Sequence, residues 1–242
     1  MCGRAQLRLT WEELASLYEL EPWTIFDDLD LPLLNVAPTQ ILPVVTLREG
    51  RRALRPMRWG FPALWLARDG KDPWRGPPLI NAKAEEAAAK PTWAAALRAR
   101  RCLVPTTGFY EWLKVGKARY PLWFRPVGAP TLTLAGLWGE FEREGRTVAC
   151  LSILTTAANG TVAPVHDRMP VLLAPTDWDR WLDPRTSGPA LQALLQPAPD
   201  DALEAIEVGT ALNAWQTTDP AALTPDLSRA ALQGAPASAG RP

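Results

Sequence analysis

The sequence predicts a single domain of the α+β class, and three observations lead there. The chain has 242 residues, 47% of them hydrophobic, enough to bury one sizeable core. From Ile41 to Thr155 it is dominated by short runs of Val, Ile, Leu, Thr and aromatic residues, separated by Gly-containing turns, as expected of strands joined by hairpins. Helical segments precede that region (Thr10 to Tyr18), interrupt it once (Ala87 to Arg100) and follow it (from Pro175), rather than alternating regularly with its strands.

Taken in order, Thr10 to Tyr18 reads as a short helix. Thr10 is an N-cap, Glu13 completes a capping box, and Leu14, Leu17 and Tyr18 share a face. The helix ends near Pro22. Asn35 to Gln40 is turn-like, and Ile41 to Leu47 reads as a strand interrupted by Pro43. The turn Arg48-Glu49-Gly50-Arg51 leads into an antiparallel return strand, Ala53 to Trp59. Trp59-Gly60-Phe61-Pro62-Ala63-Leu64-Trp65 follows, readable as ordinary core or as an apolar wedge that stacks on a distorted nucleic-acid strand.

Asn81 stands at a strand or loop end before a helical stretch, Ala87 to Arg100, interrupted at Lys90-Pro91. As an N-cap it would be purely structural. Arg101 to Pro105 is an apolar strand that turns into Phe109-Tyr110-Glu111-Trp112. Glu111 between two aromatics is either on a wet strand face or partly buried, and burial would favour proton transfer by raising its pKa. Pro121 to Phe124, Thr131 to Phe141 and Thr147 to Thr155 read as strands. The one histidine, His166, lies between a loop and a strand, flanked by Asp167 and Arg168. A lone histidine is more often structural than catalytic. Pro175 to Leu182 reads as a capped helix, Gly188 to Gln196 as another, and Ala205 to Leu212 as a last strand region. From Pro220 onward Ala, Pro, Gly and Ser dominate, so residues 2–220 are expected to fold and 221–242 to form a mobile tail.

Net charge is zero, but residues 48–125 hold 17 Lys and Arg against 6 Asp and Glu, whereas residues 1–30 hold 2 against 7. A basic middle suits phosphate binding. It equally suits pairing with the acidic ends inside the fold. No apolar run is long enough to span a membrane and no signal peptide is evident, so a cytoplasmic protein is expected. Cys2, Cys102 and Cys150 are odd in number, lack CxxC spacing and have one histidine beside them; neither a disulfide framework nor a zinc site is supported.

Cys2 has a chemistry that no internal cysteine shares. Removal of Met1 makes it the N-terminal residue, with an α-amine of reference pKa about 7.7–8.0 beside a thiol of about 8.5. Such a 1,2-aminothiol condenses with an aldehyde to an imine and closes onto it as a thiazolidine. The other reading of Cys2 is a residue at a frayed terminus.

Met1-Cys2-Gly3-Arg4, Asn35-Val36-Ala37-Pro38-Thr39, Trp59-Gly60-Phe61-Pro62, Asn81-Ala82-Lys83-Ala84-Glu85, Arg101 to Pro105 with Gly108 to Trp112, Ala135-Gly136-Leu137-Trp138 and His166-Asp167-Arg168-Met169-Pro170 resemble, in order, the motifs of the SRAP family. These are the SOS-response-associated peptidase, or abasic-site processing, proteins. The resemblance covers about residues 2–215. It implies a curved, mostly antiparallel, barrel-like β core with surrounding helices, and a monomer that binds single-stranded DNA in the DNA damage response, associating with the nucleoid and crosslinking abasic sites through the N-terminal cysteine. No cofactor and no metal is implied.

Residue by residue, Cys2 is similar to the crosslinking cysteine, Asn81 to the asparagine that holds its amine or adduct, Glu111 to the acid/base carboxylate and His166 to the histidine of the last motif. Arg4 and Arg168 resemble phosphate-contacting arginines, and Trp59, Gly60, Phe61 and Pro62 the segment that separates or stacks on bases. Lys83 departs from the arginine common there, which keeps the charge and loses the bidentate fork. Thr155 and Thr156 would add hydroxyl contacts. The imine stage allows a lyase side reaction. The resemblance also carries a second activity, an N-terminal-cysteine peptidase or amidohydrolase. Self-cleavage is not required here, because only Met1 precedes Cys2. A third reading is a non-enzymatic single-strand binding module.

Overall fold

The structure, a computed structural model, describes residues 2–20 and 29–217. The expected tail, 221–242, lies outside the described residues. The strands are β1 (Ala5–Leu7), β2 (Leu33–Val36), β3 (Ile41–Arg48), β4 (Arg51–Trp59), β5 (Asn81–Lys83), β6 (Arg101–Thr106), β7 (Gly108–Val115), β8 (Ala118–Pro126), β9 (Leu132–Arg143), β10 (Arg146–Ala157), β11 (Arg168–Pro170) and β12 (Leu203–Glu207). The α-helices are α1 (Trp11–Tyr18), α2 (Ala84–Ala87), α3 (Pro91–Ala99), α4 (Trp178–Leu182) and α5 (Gly188–Ala193).

Five strands close into a barrel in the order β10, β4, β3, β6, β9 and back to β10. Each seam is antiparallel except that of β4 with β10. A second, antiparallel sheet runs β12, β8, β7, β1, β2. The α+β class and the barrel-like core expected above are therefore both present.

Local chemistry explains the parts that were read directly. Thr10 accepts from the Glu13 N–H and the Glu13 carboxylate accepts from the Thr10 N–H, so the capping box of α1 is complete. The β3–β4 hairpin turns on Glu49 and Gly50, both at positive φ, the pair that a two-residue turn between twisted strands requires. Pro43 lies opposite Pro56, so the missing donors of both fall at one level of the ladder. Pro91 opens α3 at its first turn, so the helical stretch expected over 87–100 is α3, from Pro91 to Ala99, and α2 lies before it and ends at Ala87.

Other expectations change. Asn81 is no N-cap: it sits in β5, three residues before α2 begins, and Lys83 holds the N-cap position. The final strand is shorter and earlier than 205–212, being β12 followed by a 3-10 turn over Thr210–Asn213. Trp59, Gly60, Phe61 and Pro62 are all buried.

Barrel residues alternate between two buried clusters, as the strand period of two demands. Leu42, Val44, Met57, Trp59, Val104, Leu151 and Ile153 join Cys2 and the second-sheet residues Phe109 and Phe124. Leu54, Leu103, Leu137 and Leu154 join Tyr18, Trp93, Trp178 and Trp181 of the helices. Both faces are covered, which explains why the strands read as nearly continuous apolar runs.

Closure is tight at Gly136 of β9, where an added Cβ would meet Cys102 Sγ at 2.7 Å and Val104 Cγ2 at 2.8 Å. Gly136→Ala is expected to cost about 1–3 kcal/mol by overpacking, read from the urea midpoint.

Candidate active site

Strand β1 carries the N-terminus into the second sheet. Ala5 lies opposite Phe109 and Gln6 opposite Gly108, and the Tyr110 N–H donates to the Arg4 carbonyl at 2.9 Å. This antiparallel register carries Cys2 toward Glu111. Cys2 is 0% exposed and Glu111 6%. Burial pushes the Cys2 thiol far up from its ordinary value, and the negative charge of Glu111 pushes in the same direction. The sulfur is accordingly held as a neutral thiol.

Asn81 reaches the same point from the barrel. Its strand, β5, runs parallel to β10 with Asn81 beside Ile153, and its Nδ2 donates to the Cys2 carbonyl at 2.8 Å. The Asn81 Oδ1 is buried and accepts no hydrogen bond among the described residues. One side chain thus fixes the main chain of residue 2 and presents an acceptor. Asn81, Glu111 and Cys2 come from three distant segments and are brought together by the packing of the second sheet on the barrel.

His166 enters along the other edge of β10, where β11 pairs. Its Nδ1 accepts from the Arg168 N–H at 3.0 Å and lies 2.8 Å from an Asp167 carboxylate oxygen. In the neutral ring the main-chain donor sets Nδ1 as the acceptor and puts the proton on Nε2; the imidazolium would donate Nδ1–H to Asp167 instead.

A family model described as SOS response associated peptidase (SRAP) matches residues 1–215. The chain belongs to the SRAP family. Among its relatives is the abasic site processing protein YoqW of Bacillus subtilis, 30% identical over 91% of this chain and 97% of that protein. The abasic site processing protein YedK of Escherichia coli K12 is 32% identical over 78% of this chain and 82% of YedK. A solved protein from Bacteroides thetaiotaomicron shares the fold with a TM-score of 0.81 at 21% identity, covering 93% of this chain and all of that one (100%).

Within this SRAP domain the cations expected to meet phosphate fall into two groups. Arg168 is engaged with Glu85, and Lys83 pairs with Glu86. Arg4 donates to Asn35 at 2.7 Å and lies over the Trp112 ring. It also lines a cleft of about 430 Å³ with Trp112, Lys117, Arg119 and Asn213. Among the described residues, Lys117 and Arg119 form no ion pair. The two were missed in the sequence, although a basic hairpin turn immediately after Glu111-Trp112 was a visible signal.

The stacking role expected of Trp59 to Pro62 does not match their position. The Trp59 Nε1 donates inward to the Ile80 carbonyl at 3.0 Å and Phe61 packs on Trp93 and Phe141. The exposed aromatic of that stretch is Trp65, at 43%. Thr155 is fully buried and its hydroxyl points at the Ala82 carbonyl, so its contribution is to β10 itself. All three cysteines are free and buried. No group of three metal-ligating side chains and no helix long and apolar enough to cross a membrane occurs among the described residues.

Proposed function

We propose that this protein captures abasic sites in single-stranded DNA as a covalent thiazolidine adduct of Cys2, after removal of Met1. The observation that carries the reading is the capture of the Cys2 carbonyl by Asn81, with the thiol buried beside Glu111. The names of the relatives support the class of substrate.

His166 gives a proton to the ring oxygen of the closed deoxyribose and regains one from the C1′ hydroxyl, so that the hemiacetal opens to the C1′ aldehyde. The amine of Cys2 attacks C1′ and forms a carbinolamine; Glu111 relays the proton that lets water leave, giving the imine. Sulfur then adds to the imine carbon while the S–H proton passes to nitrogen. Water is the only product released, and no electrons are gained or lost. A thiol kept neutral suits this closing step, because it brings its own proton.

The test is incubation with single-stranded oligonucleotides with and without an abasic site, followed by a denaturing gel and intact mass. An adduct confined to the abasic strand supports the reading. Peptide hydrolysis without adduct sinks it.

The strand is expected to lie along the cleft where Lys117 and Arg119 form no ion pair among the described residues. Replacing both with Ala should weaken binding across sequences and lower the slope of log K against log salt by about 0.7 per lost phosphate contact. Fluorescence anisotropy over a salt series measures it.

A further inference from the structure

Thr155 of β10 has Lys83 of β5 on one side and Pro170 of β11 on the other. The two edges of this strand therefore carry the two halves of the site. Asn81 belongs to the first edge, and His166 precedes β11 on the second. They are tied across the strand end by one ion pair. Glu85, in α2 directly after β5, accepts from Arg168 Nη1 at 2.8 Å and from Nη2 at 2.7 Å through its two carboxylate oxygens. Nη2 also donates to the Thr155 carbonyl. The main-chain N–H of the same Arg168 holds His166 Nδ1 at 3.0 Å. Arg168 is thus gripped at its side chain by the Asn81 segment and grips the imidazole with its backbone.

We propose that Glu85 is a positioning residue for crosslinking: through Arg168 it locks the His166 segment against the Asn81 segment. The inference rests on the abasic-site reading above. A two-point fork fixes the plane of the guanidinium as well as its distance. Glu85 is half exposed, and such pairs add little to stability. What the pair supplies is the alignment of a proton donor, on which reaction rate depends steeply. Lys83, the other cation on this edge, pairs with Glu86 and does not replace Arg168.

The alternative role for Glu85 is a stand-in for a DNA phosphate on Arg168, displaced when the strand binds. The two roles predict opposite effects. Glu85→Gln keeps the shape and removes the charge. For a positioning residue, the maximal single-turnover crosslinking rate on an abasic oligonucleotide falls about tenfold or more, while half-saturating DNA changes less than about threefold. In a His166→Ala background, Glu85→Gln then has no further effect, because both act through one group. Thermal melting accompanies each variant.

An unchanged maximal rate overturns the proposal. So does tighter DNA binding at unchanged rate, which assigns Glu85 the stand-in role, or a further loss in the His166→Ala background. A rate loss that merely tracks a collapsed melting temperature also counts against it. Absence of adduct with the unaltered protein overturns the abasic-site reading, and this inference with it.

Discussion

Cys2→Ala is expected to reduce the heat-stable adduct with an abasic strand by at least about 100-fold, because it deletes the sulfur that closes the ring. Cys2→Ser separates the two halves of the chemistry. It keeps the α-amine, so borohydride still traps an imine, while the heat-stable adduct is lost. An undiminished stable adduct with Ser at this position would eliminate the thiazolidine. Retention of Met1, readable by intact mass, should remove both signals, because the amine is then an amide. The contrast with Cys102 and Cys150 sharpens the test. Burial raises those thiols too, Cys150 to about 11, so a thiol held neutral is common to all three and only residue 2 also bears the amine. Cys150→Ser is expected to leave crosslinking intact.

The legible parts of this fold are those whose causes are local. The capping box of α1 and the Glu49-Gly50 turn each depend on residues within four positions, and both are present as read. The barrel was implied by resemblance only. Its closure depends on β10, which pairs with β9 over residues 146–153 and β4 at 150–151, then with β5 at 153–155 and β11 at 155–157. No periodicity announces partners so far apart in the chain. Asn81 shows the same limit at the site. Before a helical stretch it reads equally as a cap, and its bond to Cys2 spans 79 positions. Trp59 and Phe61 stayed ambiguous for the opposite reason: an aromatic run beside Gly and Pro has the composition of a core or of a stacking platform alike, and Gly60, at φ +117°, turns the chain inward against Pro78. Charge counting likewise pointed to the basic segment without showing which cations are spent. Arg168, Lys83 and Arg55 all have carboxylate partners, whereas Lys117 and Arg119 have none among the described residues.

Arg101 is the extreme case of a cation used internally, and its replacement should have the largest effect on stability. It is 4% exposed. Its guanidinium donates to the carbonyls of Leu97 and Arg98 at the end of α3 and to those of Trp181 and Asp183 at the end of α4, with its Cζ over the Trp181 ring at 5.5 Å from the centroid. These are the acceptors that a helix C-terminus leaves without partners, and both helix dipoles point their negative ends at the charge. One side chain at the start of β6 therefore caps two helices and fastens them to the barrel. Burial lowers its pKa, which the neighbouring Asp183 partly offsets, and an arginine still keeps its proton. Arg101→Met is expected to destabilise the fold by about 3–5 kcal/mol, since four buried or part-buried carbonyls lose their donors. Arg101→Lys should recover little, because an ammonium cannot span acceptors on two helices with a rigid fork. Urea unfolding gives the measure, and a loss below about 1 kcal/mol for Met would show that the caps are replaceable. Below their unfolding midpoints, both variants should still crosslink abasic DNA, because Arg101 touches neither Cys2 nor the segments that carry Asn81, Glu111 and His166.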